Sequence, residues 1–178
     1  MVRDELKIKF EDIPPEGLDV SFEDRHGDLV RDCFPVRKPI RAKVHLARWG
    51  TSVKVTGRVE TELSLPCDRC LEEFPFPVEE EINVLLEPVA SVSRLKEEVC
   101  LSRDDLDVIF FDGETVEVDE VVREQILLAV PMRQLCKEDC KGLCPQCGEN
   151  LNLKTCDCKR EVKDSPFAIL KKLVVSSR

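Results

Sequence analysis

Eight of the ten cysteines in this chain fall in four close pairs: Cys67/Cys70, Cys136/Cys140, Cys144/Cys147 and Cys156/Cys158. No other feature narrows the fold as much. Two thiols on one turn deliver two sulfurs to the same point, and two such turns complete the tetrahedron that a zinc ion takes in structural sites. Disulfides are the competing use of paired cysteines, but they belong to oxidising compartments. The first residues, Met-Val-Arg-Asp-Glu-Leu-Lys, mix both charge signs before any apolar stretch, which is unlike a secretory leader. The longest apolar run, Ile126 to Val130, is far short of the ~20 residues of a membrane-spanning helix. A cytoplasmic protein is the expectation.

The pair Cys144-Pro145-Gln146-Cys147-Gly148 followed by Cys156-Asp157-Cys158 is the most specific motif. A C-x-x-C-G turn aims backbone N–H groups at its sulfurs, and Gly148 permits the positive φ of such a knuckle. Few large apolar residues lie between 136 and 164, so metal would have to supply the folding energy of this module. Cys67, Cys70, Cys136 and Cys140 form a second candidate set, which would tie the end of a strand to the end of a helix. Alternatively, Cys136 or Cys140 could serve as a ligand of the first site. One zinc is therefore expected, and two if the second set forms. Cys33 and Cys100 are expected to be small buried hydrophobes. Cys144-Pro-Gln-Cys147 also has the form of a thiol–disulfide exchange motif. Such motifs open a helix after a strand, and no βαβ pattern surrounds this one.

Hydrophobic alternation gives the rest of the fold. Leu6–Phe10 and Leu18–Phe22 read as half-buried strands. Ile40, Ala42, Val44 and Leu46 share one strand face, and Val53, Val55, Val59, Leu63 and Leu65 share one face of the return. Trp49-Gly50-Thr51-Ser52 between them predicts a type II′ turn, which pairs Leu46 with Val55 and Ala42 with Val59. Val78–Leu86 resumes a strand, and a short one is predicted near Val108–Phe111. Val118–Val130 has helical period, with Val118, Val121, Val122, Gln125, Leu128 and Ala129 on one side, Asp119 as the cap and Pro131 as the stop. Ser165-Pro166 opens a terminal helix with Phe167, Leu170, Leu173 and Val174 on one stripe. The predicted architecture is α+β. An antiparallel sheet packed by one long helix occupies residues 1–132, and a zinc-ribbon-like cysteine module with a short terminal helix occupies residues 133–178.

Charge is distributed unevenly. The net −9 comprises −2 over residues 1–76, −11 over 77–132 and +4 over 133–178. Overall acidity argues against a general nucleic-acid binder. Yet no carboxylate occurs between Asp32 and Glu60. The predicted register places Arg41, Lys43, His45 and Trp49 beside Lys54 and Arg58 on one face, with Lys43 directly opposite Arg58. Opposed like charges cost stability, so this face reads either as a phosphate-binding surface with Trp49 free to stack on a base, or as a solvated outer face. The acidic stretch 77–132 reads as a solvated face, or as a receiver for a basic protein. Nucleotide-binding, hydrolase and metalloprotease signatures are absent, and an all-cysteine zinc site lacks the open position that hydrolysis needs.

Several segments together resemble the YceD family. They are Gly57-Arg-Val-Glu-Thr-Glu-Leu-Ser-Leu-Pro-Cys67-Asp-Arg69-Cys70-Leu-Glu-Glu-Phe74, the helix from Asp119 to Pro131, Gly142-Leu-Cys144-Pro-Gln-Cys147-Gly148-Glu-Asn150-Leu-Asn152 with Cys156-Asp-Cys158, and Asp164-Ser-Pro-Phe167-Ala-Ile-Leu170. That family is bacterial and plastid and is linked to accumulation of large-subunit ribosomal RNA. The resemblance implies a non-enzymatic factor in ribosome biogenesis, with ribosomal RNA or a pre-ribosomal particle as partner and no small-molecule substrate or membrane. The family's distal cysteine module is not universal, whereas the C-x-R-C turn persists with a cysteine near position 140. The resemblance thereby favours grouping Cys67, Cys70, Cys136 and Cys140.

Overall fold

The computed structural model describes residues 6–89 and 108–158. Among the described residues seven strands and one α-helix follow in order, with a 3-10 turn at Phe10–Asp12 after the first strand. They are β1 (Lys7–Lys9), β2 (Leu18–Asp24), β3 (Val36–Trp49), β4 (Ser52–Pro66), β5 (Glu73–Pro88), β6 (Val108–Phe111), β7 (Thr115–Glu117) and α1 (Val118–Ala129). The main sheet has the order β2-β3-β4-β5-β6, and β1 pairs with β7 in a separate two-stranded ribbon.

The long β3–β4 hairpin has the register that alternation predicts. Trp49 pairs with Ser52, Leu46 with Val55, Ala42 with Val59 and Lys43 with Arg58. Gly50 has φ +64 while Thr51 does not have positive φ, as a type II′ turn requires. Ile40, Ala42, Val44 and Leu46 from β3 and Val53, Val55, Val59, Leu63 and Leu65 from β4 are buried on the inner face. Each such aliphatic side chain contributes about 1.5–3 kcal/mol when removed from water, so an aliphatic core suffices without aromatic mass. A bulge around Lys38 and Pro39 shifts the register near the start of β3, and a bulge tolerates a residue without an N–H.

Several expectations need correction. The sheet is mixed, not wholly antiparallel, because β6 runs parallel to β5, pairing Leu85 with Val108 and Pro88 with Phe111. Four residues carry no sign of strand direction, which depends on the path of the intervening chain. Strand β5 starts at Glu73, earlier than the apolar pattern suggests, because Pro75 and Pro77 mask it. Neither proline can donate to a ladder. They sit where β5 pairs with β4 on one side only, since β6 meets β5 from Leu85 onward. Finally, Asp119 is not the helix cap. Strand β7 runs straight into α1, so Glu117 occupies that position without a side-chain bond, and Asp119 is buried in the first turn.

Helix α1 lies mainly against β5. Val118, Val121, Val122 and Ile126 form its buried stripe, while Leu128 is exposed. It ends at Ala129, two residues before Pro131, with Val130 extended. Arg123 donates to the carbonyl of Leu29 and to Asp32, fastening the helix to the loop after β2. Cys33 is exposed in that loop, contrary to expectation, with its sulfur 3.7 Å from Arg123 Nη2. Cys100 and the terminal helix from Ser165 lie outside the described residues.

Gly57 of β4 pairs with Val44 of β3, with no room between them for a side chain. A methyl group there would stand 2.2 Å from the Lys43 carbonyl oxygen and 2.7 Å from Val44 Cα. Both are backbone atoms and cannot swing aside. Gly57→Ala is expected to destabilise the fold by about 1–3 kcal/mol through overpacking, measured as a lowered urea midpoint.

Candidate metal centre and candidate nucleic-acid face

The four cysteine pairs assemble into two quartets, Cys67/Cys70/Cys136/Cys140 and Cys144/Cys147/Cys156/Cys158, with all four sulfurs of each within 4.8 Å of one another. The first, proximal quartet joins the β4–β5 turn to the segment after α1. Cys67 Sγ lies 3.8 Å from Cys140 Sγ, and Cys70 Sγ lies 3.7 Å from Cys136 Sγ. Disulfides require about 2.05 Å. Four sulfurs at about 2.3 Å from a common centre have tetrahedral edges of about 3.8 Å, so the spacing fits a metal tetrahedron. The proximal site is enclosed, with Cys67, Cys70 and Cys140 buried. In the distal site Cys144 is buried, while Cys147 and Cys158 are exposed.

Each quartet is built on the same local turn. The N–H of Leu71 donates to the Cys67 carbonyl at 2.9 Å, and that of Gly148 to the Cys144 carbonyl at 2.9 Å. The N–H of Cys67 donates to Glu72 O at 3.0 Å, and that of Cys144 to Glu149 O at 2.8 Å. The residue after the second cysteine is left-handed in both, at φ +61 for Leu71 and +73 for Gly148. Cys67-Asp-Arg-Cys70-Leu71 and Cys144-Pro-Gln-Cys147-Gly148 are thus two copies of one knuckle, although only the second carries the glycine that announces it. The Cys144–Cys147 pair sits in this turn, where no helix follows within the described residues.

The knuckles also set the thiol electrostatics. Burial pushes Cys67 up, but backbone N–H groups of Cys136, Cys70 and Arg69 outweigh it and bring the thiol down to about 6. In the distal knuckle the N–H groups of Cys147 and Gln146 bring Cys144 down to about 6. Each site holds one thiol at the opposite extreme. Burial, followed by the neighbouring thiols, pushes Cys136 up to about 12, and the Cys147 thiol leads the rise of Cys158 to about 12. A cation placed among four such sulfurs would displace the remaining protons.

Residues between and around the cysteines lock the proximal turn in place. Asp68 and Gln134 exchange two hydrogen bonds: Asp68 N–H donates to Gln134 O at 2.8 Å, and Gln134 N–H to Asp68 Oδ2 at 2.7 Å. Arg69 Nη1 donates to the Cys140 carbonyl at 2.7 Å, and Leu143 N–H to the Arg69 carbonyl at 3.1 Å. Sequence reading assigned none of these roles. The two variable positions of a C-x-x-C motif carry no spacing signal, and their partners lie more than 60 residues away.

The basic hairpin residues do share the outer face of the sheet, but they do not form an uninterrupted cationic surface. Flanking strands supply carboxylates. Arg41 pairs with Glu23 of β2 at 3.5 Å, and His45 Nδ1 lies 2.8 Å from Asp19. Arg58 pairs with Glu60 at 3.1 Å and with Glu79 of β5 at 3.3 Å, which relieves its opposition to Lys43. Arg48 is folded onto Phe10, 4.4 Å above the ring and bonded to its carbonyl. Among the described residues Lys43 and Lys54 have no carboxylate partner, and Trp49 is 68% exposed at the hairpin tip.

Residues 55–174 match the family model described as large ribosomal RNA subunit accumulation protein YceD. A chloroplast protein of Arabidopsis thaliana named large ribosomal RNA subunit accumulation protein YCED homolog 1 is 29% identical over 161 residues, covering 79% of this chain and 50% of that protein. The uncharacterized protein YlbN of Bacillus subtilis is 28% identical over 146 residues, covering 82% of this chain and 77% of its own length. A Zea mays chloroplast protein of the same YCED homolog name is 28% identical, covering 69% of this chain and 50% of its own. The chain spans about half the length of the chloroplast relatives. No solved structure matches it.

Leu71 and Gly148 test the knuckle from both sides. Leu71 is exposed and strained, so Leu71→Gly should stabilise the fold by up to about 1 kcal/mol, the strain relieved less the added chain entropy. A Cβ at Gly148 meets nothing within 4 Å, so Gly148→Ala should cost about 1 kcal/mol through backbone strain alone. Thermal unfolding midpoints should move in opposite directions.

Proposed function

The chain belongs to the YceD family, and from that premise we propose that it is a non-enzymatic ribosome-biogenesis factor supporting accumulation of large-subunit ribosomal RNA. The match over residues 55–174, which takes in both quartets and α1, carries this reading. In it the chain acts in the cytoplasm by holding a partner, either precursor ribosomal RNA or an assembling particle. No helix among the described residues is long and apolar enough to cross a membrane.

Both quartets hold zinc in this reading, and the ion is architectural. Four thiolates fill the tetrahedron and leave no position for substrate or water, which disfavours hydrolysis. A thiol oxidoreductase is disfavoured too, because the Cys144–Cys147 pair has two further sulfurs within 4.8 Å and no helix follows it among the described residues. Purified protein is expected to contain two zinc ions per chain by elemental analysis. Loading displaces protons from thiols such as Cys136 and Cys158, so retention should fall as pH drops from neutral toward 5. Stripping the metal should free residues 133–158 from the 66–72 turn, seen as faster amide exchange there, while the inner face of β3 and β4 stays protected.

Trp49, Lys43 and Lys54 are the residues placed to meet RNA, the indole stacking on a base and the ammonium groups on phosphate. Arg41, His45 and Arg58 contribute less, since each already has a carboxylate. Lys43→Glu with Lys54→Glu should weaken RNA binding and flatten its salt dependence without changing stability. Filter binding at several salt concentrations measures this, and unchanged affinity removes the hairpin from the interface.

Charge arithmetic favours a second reading, an adaptor that holds a basic ribosomal protein through the acidic 77–132 stretch. The net −9 counts every cysteine as neutral. Each zinc with four thiolates adds a formal −2, so the doubly loaded chain is four charges more acidic. A strongly negative body repels bulk RNA and attracts cationic protein. Pull-down with and without nuclease separates the two readings, since only an RNA-bridged association is lost on digestion.

A further inference from the structure

One side chain of the distal module reaches back into the proximal quartet. Asn152 lies in the loop between Cys147 and Cys156, and its amide is fully engaged. Oδ1 accepts the backbone N–H of Lys141 at 2.9 Å. One Nδ2 hydrogen goes to Asn150 Oδ1 at 2.9 Å and the other to Cys140 Sγ at 3.3 Å. The Lys141 donor fixes which end of the amide is oxygen, because an N–H cannot face an NH2 group, so the sulfur meets a donor. The loop carrying Asn152 is tied to the proximal segment by Leu151 N–H to Gly142 O at 2.9 Å and by the Leu143–Asn150 bridge. Cys140 is 3% exposed, so water cannot readily replace the amide.

We propose that Asn152 couples the two metal sites: a metal in the distal quartet orders the loop that holds the Asn152 amide against Cys140, and so raises the affinity of the proximal quartet. The inference rests on reading both quartets as metal sites. The loop has little apolar packing of its own, with Leu151 only half-buried and Leu153 exposed. Placing Asn152 without distal metal therefore means ordering the loop for a few hydrogen bonds, whereas distal metal meets that entropy cost beforehand. The N–H···S bond then disperses thiolate charge at a buried ligand. Outer-shell partners of this kind change metal affinity about 10- to 100-fold. Reciprocity requires that proximal occupancy strengthen the distal site by the same factor.

The test uses the full chain titrated with zinc against a chromophoric chelator, with cysteine alkylation mapping to show which quartet is empty. Wild type should bind two zinc ions. Cys156→Ser with Cys158→Ser should bind one, at the proximal quartet, about tenfold more weakly than wild type does. Asn152→Asp keeps the acceptor for Lys141 N–H but removes the donor to sulfur. It should weaken the proximal site to a similar extent while two metals still bind, and the neutral Asn152→Ala should act in the same direction. In the Cys156→Ser/Cys158→Ser background, Asn152→Ala should add nothing further. If two zinc ions bind but emptying the distal quartet leaves proximal affinity unchanged, or the effects are additive, the coupling is wrong and the metal reading stands. Absence of bound zinc overturns both.

Discussion

The approach of Cys67 and Cys70 to Cys136 and Cys140 joins the β4–β5 turn to the segment after α1. It joins residues 66 to 73 positions apart, in a small cluster where Phe74, Leu135 and Leu143 pack against the sulfurs. The hydrophobic core ends with Leu65 on β4 and Ile126 on α1. Beyond it, the contacts are the sulfurs with Phe74, Leu135 and Leu143 packed on them, the Asp68–Gln134 exchange and the Arg69 bonds. Each hydrogen bond of this kind contributes about 1 kcal/mol net, too little to order some 25 residues against their chain entropy. Further stabilisation of the segment after α1 would have to come from the sulfurs, whose spacing suits a metal ion.

The duplicated knuckle follows from the same constraint. A turn that aims successive N–H groups at one sulfur needs a left-handed residue after the second cysteine. The distal copy uses glycine, and the proximal copy holds Leu71 there under strain. The proximal turn can bear that strain because it sits between two long paired strands, β4 and β5, whose register continues from Val53–Leu86 to Pro66–Glu73. The distal copy is held by no long strand pair, with the Leu143–Asn150 bridge and a few loop hydrogen bonds beside it among the described residues. Enclosure follows the same division, with proximal sulfurs mostly buried and distal sulfurs partly open.

The outer face of the sheet shows why a run of like charges in sequence need not be a patch in space. Strands β3 and β4 bring the cations, while β2 and β5 flank them with Asp19, Glu23 and Glu79. The two cationic strands lie between acidic flanks, and this gives Arg41, His45 and Arg58 carboxylate partners within the sheet. What protrudes unneutralised is the hairpin tip, with Trp49 and Lys54, and Lys43 farther down. Any partner of this face meets a narrow contact, not a broad cationic surface.

Local pattern alone determined the β3–β4 hairpin, its register, the helix near 118–130 and the pairing of cysteines within each turn. All of these rest on interactions between residues close in sequence: side-chain alternation, Gly50 at a tight turn, Pro131 as a stop and a spacing of one to three residues between thiols. The direction of β6, the extent of β5 through Pro75 and Pro77, the burial of Asp119 and the exposure of Cys33 were not legible, because each is set by which distant strand or loop lies alongside. The same holds for the site. Sequence spacing proposed which thiols could share a centre and left Cys136 and Cys140 with two options, while the return of the chain after α1 to the β4–β5 turn placed them with Cys67 and Cys70. Only tertiary structure could set Glu23 beside Arg41 or Asn152 beside Cys140, since charge pairing and hydrogen bonding depend on distances in space that no local periodicity encodes.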